Sequence, residues 1–298
     1  AGIHIPAAMA IEPIATLSVD KAAAYLEQGA AAWTREKQCI SCHTNGTYLF
    51  IRPALTSTLG PPSEEIRSFF VEQLTEFQEF TDEMRKGGAN PAGLIYLASG
   101  LAQWDAYVSK EISRETETAL KLMLSIQQEN GTWGVPDCWP PFESSPYQTA
   151  TMAVMAMTAA PNWLDSVSDN DVKKQIEHLR RYLRDTAPVH DYARVLKLWT
   201  STRFAGIMED GEGQQIISML LQKQRPDGGW NIRDFAQPEE WGSGNRAEKL
   251  REESDAAKSA SDGHMTGLAL IVLHEANSSN STAAEQRGIA WIKSNQRE

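Results

Sequence analysis

Apolar side chains recur every three or four positions along almost the whole chain, as in Ser63 to Phe80 and Glu115 to Gln128. That spacing lines one face of an α-helix. One set of such segments is long and carries a charged face: about 18–37, 62–84, 108–128, 169–185, 211–224 and 281–297. A second set is shorter and richer in small apolar residues: about 47–59, 91–102, 147–160, 190–203 and 264–276. Within it, Thr149 to Met157 and Thr266 to Leu273 are apolar nearly all round, which predicts burial. The two sets alternate strictly, and no segment carries the two-residue period of a strand. The pattern predicts an all-α protein built from outer and inner helices.

The segment ends repeat as well. Gln127 to Trp133 and Gln224 to Trp230 both spell Q-x-x-x-G-x-W after a charged segment. In such a unit glutamine can bond the free end of a neighbouring helix, glycine supplies the turn and tryptophan packs over the joint. Weaker echoes are Trp33 to Gln38 and Trp291 to Gln296; the second ends before its G-x-W, which points to a repeat continuing past Glu298. Repeats of this size mean stacked supersecondary units. The reading is a tail over 1–17 and a single domain over 18–298, interrupted by a charged surface insertion over 231–262.

Composition changes this picture little. The 298 residues are 41% hydrophobic and 22% charged, an ordinary globular balance. A net charge of −11 argues against nucleic acid or an anionic membrane as the main partner. The longest uncharged apolar stretch, Thr149 to Ala160, is shorter than the roughly 20 residues that span a bilayer. Residues 1–10 do not read as a signal peptide, so an exported protein would already have lost its signal.

The chemistry lies in Cys39-Ile40-Ser41-Cys42-His43. Two thiols three positions apart can add to the two vinyl groups of one haem, and the adjacent imidazole then meets the iron. A zinc knuckle would need a second local Cys/His pair, and a thioredoxin-like pair a βαβ setting; neither is present. One covalent haem c is therefore expected on Cys39 and Cys42, with His43 as the proximal ligand. The motif falls between the first outer and first inner segments. The loop 134–144, the turn before His190 and the loop ending at His264 fall at matching outer-to-inner positions, so the haem is expected among them.

The alternating segments and the Q-x-x-x-G-x-W units resemble the α/α-toroid of squalene–hopene cyclases and protein prenyltransferase β subunits, from about residue 18 onward. The resemblance implies a barrel of up to six helix pairs. Those cyclases protonate their substrate with a D-x-D-D-T-A motif at an inner helix start; the matching stretch here is Ser145-Pro146-Tyr147-Gln148-Thr149-Ala150, in which every acid is gone. Cyclase activity is not expected, and no catalytic residue is assigned. The zinc of prenyltransferases is echoed by Asp137, Cys138 and His264, but without the D-x-C spacing.

The sixth iron ligand stays open at this point. Cys138, left over once the motif is formed, could bind as a thiolate; His264 would make a bis-histidine site; His190, Met152, Met155, Met265 or an open sixth position are further options. Trp139 and Tyr147 are candidate pocket walls, and Phe142 and Trp230 could line a barrel interior. His178 on a charged segment and His4 in the tail read as solvated. Three functions compete: an electron carrier with a redox partner protein, a binder or sensor of NO or CO, and a haem enzyme acting on an apolar, terpenoid-like molecule. Thioether attachment of haem takes place on the exported side of a membrane, which implies a periplasmic or otherwise exported protein.

Overall fold

A computed structural model describes residues 16–134, 145–241 and 247–297. Eleven helices of seven or more residues run through the described residues: α1 (Val19–Lys37), α2 (Asn45–Ile51), α3 (Glu64–Glu79), α4 (Asn90–Trp104), α5 (Arg114–Ser125), α6 (Pro146–Ala159), α7 (Asn170–Asp185), α8 (Asp191–Ser201), α9 (Glu212–Gln222), α10 (Gly263–Glu275) and α11 (Thr282–Asn295). No strand occurs among the described residues, so the chain is all-α as its periodicity predicts. Starts are set locally. The side chains of Ser18, Ser113, Asp169 and Asp262 each accept from a free backbone N–H in the first turn of α1, α5, α7 and α10.

Three segments depart from the expected lengths. The one over 47–59 becomes α2, a 3₁₀ turn at Arg52–Leu55 and a last α turn at Thr56–Leu59. Pro53 sits where the helix tightens; it has no N–H and cannot continue the α-helical ladder. The segment over 62–84 divides after Phe80, where Thr81 caps a separate turn, Asp82–Lys86. The segment over 108–128 starts only at Arg114, because a π turn at Asp105–Ser109 extends α4 and Lys110 reverses the chain at φ 64°.

The shorter helices pack on one another in chain order, α2 on α4, α4 on α6, α6 on α8 and α8 on α10. The longer ones flank them, with α1, α3, α5 and α7 in sequential contact. Helices α4 and α6 are buried along almost their entire length, as the all-round apolar pattern of Thr149 to Met157 requires. At the chain ends, Gln296 donates to the Ser18 carbonyl (2.8 Å) and accepts from the Ser18 N–H (2.7 Å), tying the end of α11 to the start of α1.

Of the 231–262 segment, expected as a surface insertion, residues 231–241 and 247–262 are described; they form short helical turns, and Phe235 and Trp241 are buried. The Phe235 carbonyl accepts from the Tyr192 N–H, one of the free donors at the start of α8.

Candidate functional site

The C-x-x-C-H turn is held by residues just beyond it. Gln38 ends α1 in the left-handed conformation (φ 52°), which turns the chain sharply into Cys39. Asn45 then accepts from the Ser41 N–H (2.8 Å) and donates to the Cys39 carbonyl and the Thr34 hydroxyl, both at 3.1 Å. Thr47 donates to the Cys42 carbonyl and Gly46 N–H to the Ser41 carbonyl. A Cβ on Gly46 would lie 2.5 Å from that carbonyl oxygen, so only glycine allows this approach. Trp33 closes the turn from α1: its indole N–H donates to the Cys39 carbonyl (3.2 Å), and its ring meets His43 edge-on at 5.1 Å.

Within this frame Cys39 is exposed, Cys42 is buried, and neither forms a disulfide. His43 has an exposed ring with one side packed. That partial desolvation lowers its pKa and favours the neutral imidazole, the form with a lone pair for a metal.

His43 lines a hollow of about 350 Å³ between α1 and α2. One wall is the α1 stripe Val19, Ala22, Ala23, Leu26 and Ala30; the other is Thr47, Tyr48, Ile51 and Arg52, with Leu55 and Leu59 beyond. Large apolar side chains stay exposed around it: Val19, Tyr25, Leu26, Ile51 and Leu55. Exposed apolar rims around a hollow are common at ligand and partner sites, which makes this one the candidate. Tyr48 donates to Glu27 (2.8 Å) and accepts from the Ser63 N–H (3.0 Å); burial pushes its phenol pKa up, so it stays protonated.

The other predicted residues lie elsewhere. His264 and Tyr192 share a 3.1 Å hydrogen bond and line a second hollow of about 300 Å³, walled by α2, α4, α6, α8 and α10. Burial lowers the His264 pKa. His190 caps α8, its Nδ1 accepting from the Ala193 N–H, and packs against Trp241 at 5.0 Å. Met152 borders the second hollow, and Met155 and Met265 are fully buried. Tyr147 is fully buried and donates to the Leu183 and Thr186 carbonyls, a joint between α6 and α7 rather than a wall of the His43 hollow. Trp230 is likewise buried, donating to the Leu220 carbonyl. Cys138, Trp139, Phe142, Asp137 and His4 lie outside the described residues.

The hollow beside His43 is thus built from a single helix pair and the turns after it. None of its described lining comes from the chain around His190 or His264, where the order of segments had placed the haem. The two hollows share Thr47 and Ile51 and so adjoin along α2. Sequence reading missed the first hollow, although the stripe at 19, 22, 23, 26 and 30 was visible. All of that stripe but Ala30 lacks a protein partner deep enough to bury it, which spacing alone does not reveal.

Comparison with known proteins returns no match, either to a family model or to a curated relative.

Proposed function

We propose that the chain is a c-type cytochrome that carries one covalent haem on Cys39 and Cys42 with His43 on the iron, and that it works in electron transfer. The observation that carries this reading is the position of His43. The histidine of a C-x-x-C-H turn lines an open apolar hollow whose rim leaves five large side chains exposed. The donor set fits the group: two unbridged thiols on one turn, a neutral imidazole next to them, and apolar walls for a macrocycle. Haem held this way supplies reversible one-electron exchange at its iron. The residues around it orient His43, through Trp33 and the Asn45-anchored turn, and shield one side of the ring from water. The exposed rim of the hollow suits electron exchange with a partner protein at the surface.

The fold reading belongs with this proposal. Successive inner helices around one hollow, flanked by outer helices and tied end to end through Ser18 and Gln296, support a closed α/α-toroid like that of the terpene cyclases. The absence of an acid over Ser145 to Ala150 supports a toroid that has lost cyclase chemistry. Thioether attachment implies export, so the periplasm is the compartment proposed.

The test is expression with a haem-attachment system. The expected product has a mass raised by one haem and a c-type spectrum, both lost in Cys39→Ser/Cys42→Ser. A polypeptide mass without haem would end the proposal. Adding CO to the reduced protein separates the functions. A spectrum that does not change supports an electron carrier with a sixth ligand such as Cys138, and CO binding supports the gas-binding alternative.

A further inference from the structure

Arg52 lines the hollow beside His43 and is only 6% exposed. Its two terminal nitrogens donate to the Gly60 and Leu59 carbonyls at 2.9 and 3.0 Å, while its buried Nε has no hydrogen-bond partner. Both acceptors are neutral, and among the described residues no carboxylate pairs with this guanidinium. Lys197, the other buried cation among the described residues, is paired with Glu212 at 2.7 Å. A buried charge without a counter-charge is costly, and the cost is relieved when an anion arrives beside it. Apart from the Thr47 and Tyr48 hydroxyls, which are taken up by the Cys42 carbonyl and by Glu27, the wall that carries Arg52 is apolar, so a suitable ligand has a large apolar body and a carboxylate at its edge.

Building on the haem reading above, we propose that Arg52 is the positioning residue for a haem propionate. Its charge compensates that carboxylate and fixes the macrocycle along the α1/α2 hollow. His43 and Arg52 lie at the two ends of α2, nine positions apart, so together they define one edge of the seat. A cation at this place favours the reduced iron, because reduction removes a positive charge nearby.

The experiment is redox titration of the purified holoprotein with Arg52→Gln and Arg52→Lys, after mass spectrometry has shown covalent haem in each. The expected result for Arg52→Gln is a lower reduction potential, by about tenfold in the one-electron equilibrium, which is about 59 mV. Arg52→Lys keeps the charge but cannot span both carbonyls, and should recover most of that shift. If Arg52 only staples the 59–60 backbone, the lysine variant will be no closer to the parent than the glutamine variant, and the proposal is wrong.

A second readout needs no variant. Infrared spectra of the parent holoprotein should show one propionate that stays ionised as pH falls through the ordinary carboxyl range. Two propionates that protonate normally would overturn the assignment while leaving covalent haem intact. Absence of covalent haem from the parent would overturn both readings.

Discussion

At the scale of single residues, the site depends on side chains that bind no ligand themselves. Asn45 joins three backbone or hydroxyl groups on both sides of the turn, so it sets the path of Cys39 to His43 as much as the cysteines do. Replacing it with alanine leaves buried donors and acceptors unmatched, at about 1–3 kcal/mol. Asn45→Ala is expected to lower the urea midpoint and, on the proposed cytochrome reading, the yield of covalent haem with it. Normal haem loading at normal stability would show that the turn is held by other means. The motif itself was legible in the sequence because its chemistry is local. Asn45 and Gly46 were not, because their value lies in reaching back four to six residues to backbone groups that any sequence has, and eleven to the Thr34 hydroxyl.

At the scale of elements, the Q-x-x-x-G-x-W units explain how neighbouring outer helices are joined. Gln127 donates to the Gly131 carbonyl and, across to α7, to the Gln175 carbonyl (3.0 and 3.1 Å). Gln224 does the same to Gly228 and to Ala284 in α11, both at 2.8 Å. Trp133 and Trp230 each donate from the indole back to the helix before them, to Met123 and Leu220. The glycines stand at φ 91° and 95°, with backbone of the next outer helix against them: His178 at Gly131 and Arg287 at Gly228. Gly131→Ala must therefore bear both a left-handed backbone and a collision with the His178 carbonyl. It is expected to destabilise by at least about 2 kcal/mol in chemical denaturation, whereas alanine at Gly29, where nothing lies within 4 Å, should stabilise or be neutral. Equal effects at the two sites would refute the joint.

Helix positions were readable to within a few residues because burial of one face imposes its period on the chain. Exceptions came where a proline, a new cap or a reversed residue broke that period, at Pro53, Thr81 and Lys110.

At the scale of the whole molecule, the link that spans the longest stretch of sequence among the described residues is Ser18 to Gln296. It repeats in reduced form what Gln127 and Gln224 do, a glutamine at the end of one outer helix reaching the backbone of the next. Gln296→Ala removes both bonds and is expected to cost about 1–2 kcal/mol, read as a lower denaturation midpoint. An unchanged midpoint would mean that the link between the two ends contributes nothing to stability.

The sequence by itself determined the helices, their alternation, the joints between them and the C-x-x-C-H turn. Each of these follows from periodicity, from a local spacing, or from a residue whose backbone freedom is special. Only the tertiary structure decided which apolar faces find a protein partner. The stripe on α1 and the all-round apolar α6 are both apolar on paper, yet one is left open beside His43 and the other is enclosed. The same holds for His190 and His264, one occupied as a helix cap and the other held by Tyr192. Amphipathicity states that a face must be covered; what covers it depends on packing between residues far apart in the chain.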